Sequence, residues 1–190
     1  LFKRKTGREP PVKKNAAMSH GIYYEPEAIR VFEQVTGVEI YQGDVGLLVH
    51  ETYDWIGASP DGVCKYFPFL LEIKCPFSAN IKHACPKYYY TQVQLQLEVC
   101  DLDMCYFAQY QPPNSPLSDG LIDIIEIHRN KDWWIESFPY ISSFWEGVKM
   151  YYKLNNVEQQ AQEWNEHVKD KKTKQNKKDQ TCMIITKPQK

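Results

Sequence analysis

The chain of 190 residues is long enough to bury one core and short for two full domains. With 23 Lys and Arg against 24 Asp and Glu, 43% apolar residues and 14% aromatic residues, its composition is that of a globular, soluble protein. No apolar run approaches the roughly 20 residues of a membrane span, and the opening Leu1-Phe2-Lys3-Arg4-Lys5 carries no signal-peptide pattern. Membrane and secreted classes are therefore set aside in favour of an intracellular protein.

In chain order, residues 1–18 read as a basic arm, or as a fragment of an upstream region because the sequence starts on Leu1 rather than Met. The folded part is expected over 19–153. Glu25 to Gly37 predicts a helix: acids and Pro26 in the first turn suit its N-terminus, Ala28, Phe32 and Val35 form a stripe, and Gly37 stops it. Val38–Tyr41, Val45–Val49 and Trp55–Ala58 read as strands, the first two joined around Gly43-Asp44. Ser59-Pro60-Asp61-Gly62 reads as a turn, with Pro fixing φ and Gly permitting positive φ. Val63–Tyr66 and Leu70–Cys75 follow as strands. Tyr89, Val93, Leu97 and Cys100 give a helical period over about 86–100. Cys105–Gln111 and Leu121–His128 are two more strands, and 132–152 is a closing helix or helix pair. The order predicts an α/β or α+β fold, a central mixed sheet flanked by helices. Residues 154–190 form a polar, Lys-rich tail.

Charge is unevenly distributed. Residues 1–20 carry net +5 and residues 166–190 carry net +5, leaving −11 on residues 21–165. An acidic body repels polyanions unless it binds cations, while basic ends attract a phosphate backbone. That combination suits a metal-dependent enzyme acting on nucleic acid; the competing reading of the tail is a solvated, disordered end. Cys64, Cys75, Cys85, Cys100, Cys105 and Cys182 contain no C-x-x-C pair, and His83 with Cys85 is the only close His/Cys pair. Reduced thiols acting as small hydrophobes are expected, rather than disulfides or a zinc site.

The chemistry concentrates in Ser59-Pro60-Asp61-Gly62 and Glu72-Ile73-Lys74. On a strand Glu72 and Lys74 share one face while Ile73 points to the other. Asp61, at the end of a hairpin partner strand, would then bring a second carboxylate to Glu72. Two carboxylates and a backbone carbonyl, that of Ile73, form a hard-oxygen cradle for Mg²⁺, with Mn²⁺ as the alternative. Such an ion binds a phosphate oxygen, acidifies the attacking water and neutralises the leaving oxygen. Lys74 would hold the nucleophile or steady the pentavalent phosphate. The competing reading is an exposed cross-strand salt bridge. Glu25 is a third acid that could complete the cation shell, or merely cap its helix. Gln92 and Gln96 lie four apart on one helix face, with Tyr89 three before Gln92. Their amides could bond a phosphate or nucleotide; a solvated face competes for Gln94 and Gln96.

Gly21-x-x-x-Glu25, Ser59-Pro60-Asp61-Gly62, Glu72-Ile73-Lys74-Cys75-Pro76 and Tyr89-x-x-Gln92-x-Gln94 together resemble the lambda-exonuclease/YqaJ-type viral recombinase family of the PD-(D/E)xK nuclease superfamily. Cys105–Tyr110 and Ile124–Ile127 continue the similarity, which covers about 18–150. The resemblance implies a restriction-endonuclease-like core and a Mg²⁺-dependent exonuclease. That enzyme would degrade one strand of linear duplex DNA from its 5′ end, leaving 3′ overhangs for recombination or end repair. Asp61, Glu72 and the Ile73 carbonyl would bind one or two metal ions. Lys74 would be the catalytic lysine, Glu25 and Gln92 would complete the site, and Ser59, Tyr89 and Gln94 would contact substrate. Implied partners are DNA ends, a single-strand annealing protein and further copies of the chain in a trimeric ring. If the chain is virus-encoded, its address is the host cytoplasm or a replication compartment. The family's Arg and Thr/Ser motif for a 5′-phosphate is not found here; Arg4, Arg8, Lys13 and Lys14 are the electrostatic substitutes available. The rival activities are a structure-selective endonuclease or RecB-like repair nuclease, and an inactive DNA-binding module.

Overall fold

The structure, a computed structural model, describes residues 1–10, 12–41, 45–78, 81–113 and 120–155. The elements run α1 (Phe2–Lys5), α2 (Ala16–Thr36), β1 (Leu48–Val49), β2 (Gly57–Ala58), β3 (Gly62–Val63), β4 (Phe69–Lys74), α3 (Lys87–Cys100), β5 (Met104–Gln111), β6 (Leu121–His128) and α4 (Lys131–Leu154). Two units result, one spanning Val12–Phe138 and the other combining Leu1–Pro11 with the chain from Pro139 onward. No helix among the described residues is long and apolar enough to cross a membrane.

The larger unit is built on a four-stranded mixed sheet ordered β3-β4-β5-β6. β4 and β5 are parallel, as the intervening α3 requires of a βαβ crossover, while β3 and β6 run antiparallel to their neighbours. β4 reads Phe-Leu-Leu-Glu-Ile-Lys and is buried through its first five residues. Leu71 and Ile73 pack on α2 through Ala28 and Phe32, joined by Ala108 and Tyr110. Leu70 packs with Phe107 and Cys105 against Val93 and Leu97 of α3. The sheet thus lies between two helices, with alternate β4 side chains in opposite layers. β1 and β2 form a separate two-stranded ribbon.

Several expectations change. The first helix starts at Ala16, not Glu25, because the Asn15 side chain accepts the Met18 N–H at 2.9 Å and caps it. Pro26 is therefore internal, ten residues in, where it costs one backbone hydrogen bond without ending the helix. Glu25 is not a helix-capping acid. Val35, placed on the buried stripe, is 63% exposed. Gly37 does end the helix, in the left-handed conformation at φ 71°. The strand expected at Val38–Tyr41 reduces to a single bridge between Ile40 and Cys64. The other strands before Phe69 are two-residue pieces, and the Gly43-Asp44 turn lies outside the described residues. Gly62 does not adopt positive φ. It is needed for close approach, since a Cβ there would meet Ile40 Cγ2 at 2.7 Å.

In the smaller unit the first residues of the basic arm fold onto the second half of α4. The Phe2 ring meets Phe144 and Tyr151 edge-on at 6.1 and 6.0 Å, and the Arg8 guanidinium lies 4.8 Å from the Tyr151 ring. The Tyr152 hydroxyl donates to the Lys5 carbonyl at 2.5 Å. α4 is one helix with Pro139 inside it. The Lys-rich tail lies outside the described residues.

Candidate active site

β3 and β4 place Gly62 opposite Leu71, which brings Asp61 level with Glu72 at the carboxyl end of β4. The Ile73 N–H donates to Asp61 Oδ2 at 2.7 Å, locking the turn to the strand. Glu72 is wholly buried. A bare carboxylate there would be costly, so every donor around it matters. Oε1 accepts from Gln92 Nε2 at 2.7 Å and from the Lys74 ammonium, and Oε2 accepts from Gln96 Nε2 at 2.7 Å. Lys74 also lies 4.9 Å from the centre of the Tyr89 ring, a cation–π distance.

Beside these groups lies a cleft of about 410 Å³, lined by Gly21 and Glu25 of α2, Asp61, Ile73, Lys74 and Tyr89. Its electrostatics are those of crowded acids. Burial first, then Glu72, push the Asp61 carboxyl up to about 7. Glu25 is raised as well, by burial and then by Glu72. For Lys74, burial works against the charge, but Glu72 and Asp61 outweigh it and the amine is held above its ordinary range. The neighbouring carboxylates thus favour the charged form of Lys74.

The donors present are hard oxygens: Asp61, Glu72, Glu25 and the neighbouring backbone. No set of three or more His, Cys, Asp and Glu that could by itself hold a metal ion occurs among the described residues. An ion here would keep waters in its shell, as Mg²⁺ usually does. The five described cysteines are free thiols, and burial pushes Cys75, beside the cleft, up to about 12.

Of the residues singled out from the sequence, Asp61, Glu72, Ile73, Lys74, Glu25, Gln92 and Tyr89 come together. Gln94 does not, and Ser59 reaches them only through its backbone, its carbonyl accepting from Gln96 Nε2 at 3.4 Å. Gln94 is 1% exposed and on the opposite face of α3, donating to the His128 carbonyl at 2.8 Å and accepting the Asn130 N–H at 2.7 Å. Both its polar atoms are spent on backbone, so it has nothing to offer a substrate. Ser59 donates its hydroxyl to the Gly46 carbonyl at 2.5 Å. Gln96 is the residue underrated by the sequence reading: rather than solvated, it is 2% exposed and bonded to Glu72. Its four-residue spacing from Gln92 was the available signal.

A mixed sheet between helices, with paired carboxylates and a lysine at the end of its central parallel strand, defines a nuclease-type α/β fold. The chain belongs to the YqaJ-like viral recombinase domain family, whose model matches residues 1–103, more than half of its length. Among solved structures, the alkaline exonuclease LHK-Exo of Laribacter hongkongensis is similar over 82% of this chain and 78% of its own, with a TM-score of 0.67 and 29% identity. LHK-Exo in complex with dAMP matches over 80% and 76%, with a TM-score of 0.66 and 29% identity. A phage-related exonuclease of Haemophilus somnus shares the fold over 80% and 77%, with a TM-score of 0.59 and 14% identity. An uncharacterised protein of Acanthamoeba polyphaga mimivirus is 38% identical over 122 residues; the match takes 55% of this chain and 22% of the viral protein. The chain thus spans about a fifth of that relative's length. The family indicated by the sequence motifs is the one found.

Proposed function

We propose that the chain hydrolyses phosphodiester bonds of linear double-stranded DNA from its ends, in a Mg²⁺-dependent reaction that runs 5′ to 3′ and leaves 3′ overhangs for recombination. The observation that carries this reading is the meeting of Asp61, Glu72 and Lys74 at one end of β4, with Asp61 and Lys74 lining a cleft and Glu72 buried behind them. Membership in a viral recombinase family and likeness to an alkaline exonuclease support it.

The donor set fits a divalent cation. Asp61 and Glu72 would hold it with the Ile73 carbonyl, and Glu25 faces the same cleft. Burial, and after it the neighbouring Glu72, raise the Asp61 carboxyl, a cost that a bound cation offsets. When bound, the ion supplies Lewis acidity toward a phosphate oxygen and a more acidic attacking water. The chain's own residues supply position and charge. Gln92 and Gln96 hold the Glu72 carboxylate in one orientation. The Ile73 N–H does the same for Asp61. Lys74, protonated and backed by the Tyr89 ring, offers a fixed positive charge to a phosphate in the cleft.

The test is an incubation of end-labelled linear duplexes, with and without a 5′-phosphate, in Mg²⁺. The expected result is mononucleotide release from the 5′ end, no release after chelation, and an intact covalently closed circle. Cutting of the circle would establish a structure-selective endonuclease instead. No hydrolysis of any of these DNAs would refute the proposal.

A further inference from the structure

Lys74 separates two clefts. The second, about 270 Å³, shares Lys74, Pro76 and Tyr89 with the first, and its other walls include Lys82, Tyr88 and Gln109. The two differ in charge. Glu25 and Asp61 line the first, whereas among the described residues no carboxylate lines the second and its charged groups are Lys74 and Lys82.

The second cleft is also built rather than incidental. Lys74 of β4 is level with Gln109 of β5, and Gln109 with Asp123 of β6, so three polar side chains run across the sheet beside the active site. Gln109 Nε2 donates to the carbonyls of Lys82 and Ala84 at 2.6 and 3.4 Å. His83 Nδ1 meets Asp123 Oδ1 at 2.6 Å. Both tethers tie the wall carrying Lys82 to the sheet next to Lys74. Tyr88, which also lines this cleft, is 67% exposed, and its ring stands 4.2 Å from the Tyr89 ring. An exposed aromatic face and a lysine pair, in a space sized for one small ligand, match a base and its phosphate.

We propose that this second cleft is a nucleotide subsite, in which Tyr88 stacks on a base and Lys82 pairs with a phosphate of a nucleotide flanking the scissile bond. The assignment rests on the nuclease reading of the adjoining cleft. It makes Tyr88 and Lys82 substrate-binding residues outside the carboxylate–lysine set.

The experiment compares Tyr88→Ala, Tyr88→Phe and Lys82→Ala in the full chain. Tyr88→Ala should raise KM for linear duplex roughly tenfold with kcat nearly unchanged, and Tyr88→Phe, which keeps the ring, should match the parent. An abasic nucleotide at one of the two positions flanking the scissile bond should raise the parent's KM equally and add nothing to Tyr88→Ala. Lys82→Ala should raise KM and make its salt dependence shallower. Unchanged KM in both alanine variants would overturn the subsite while leaving the nuclease reading intact. Equilibrium dialysis with dAMP separates the two claims from the other side. Binding lost in both alanine variants supports the subsite even if no DNA is hydrolysed, and binding unaffected by either refutes it.

Discussion

The two faces of α3 use one residue type for opposite ends. Gln92 and Gln96 point at β4 and surround the Glu72 carboxylate, while Gln94, on the other face, bridges the end of β6 and the residues leading into α4. Gln94 and Gln96 are almost equally buried, so burial does not distinguish them. The partner does. An amide bonded to backbone carbonyl and N–H groups completes the fold, whereas one bonded to a carboxylate at the edge of a cleft orients a group that can act.

The greatest loss should come from removing the ammonium that shares the Glu72 carboxylate with the inner face. Lys74→Ala should lower kcat on linear duplex DNA by about 10²–10³-fold, the scale for losing a preorganised electrostatic group. Wild-type rates would remove Lys74 from the group that the Glu72 carboxylate gathers.

The second prediction concerns pH. Asp61 has a folded value of about 7 against an ordinary 3.8. Between about 4 and about 7 the metal-free folded chain therefore keeps a proton that the unfolded chain has released. Its contribution to stability is full below that window and declines as pH rises through it. Melting temperatures of the metal-free chain should show this decline, and Asp61→Asn should flatten it while keeping an acceptor for the Ile73 N–H. Mg²⁺ should instead stabilise the wild type increasingly as pH rises toward and past about 7, because the cation needs the carboxylate.

Gln96→Leu and Gln94→Leu test the two faces directly. Each leaves buried polar partners unmet and should cost about 1–3 kcal/mol in denaturant unfolding. Only Gln96→Leu should also depress kcat, by about tenfold if Glu72 loses its orientation; Gln94→Leu should leave kcat per folded molecule unchanged. Equal kcat losses in both would erase the distinction. The smallest effect belongs to Ser59→Ala, which removes one exposed hydroxyl contact and should shift stability by no more than about 1 kcal/mol, with KM unaltered.

Legibility in the sequence followed the strength of the local pattern. β6 and all but the edges of β4, β5 and α3 are readable from apolar periodicity, because β4 is buried in two layers and α3 packs one stripe on the sheet. The start of α2 was not, since Asn15 is a weak mark beside the acids and Pro26 that imitate a helix start ten residues later. The two-residue strands have too little length for any period to emerge. At the site, the spacing of Asp61, Glu72 and Lys74 placed them near one another through a hairpin and strand alternation, but it left a cross-strand salt bridge as a competing reading, and the motif resemblance was needed to choose.

The sequence by itself determined the chemistry available here: two acids and an amine on adjoining segments, with amides one helix away. Tertiary structure alone decided which amide serves them. The rotation of α3 about its axis is set by Val93 and Leu97 seating against Leu70 and Phe107. That packing turns Gln92 and Gln96 toward Glu72 and Gln94 away, a choice made between layers that no local spacing within the helix encodes.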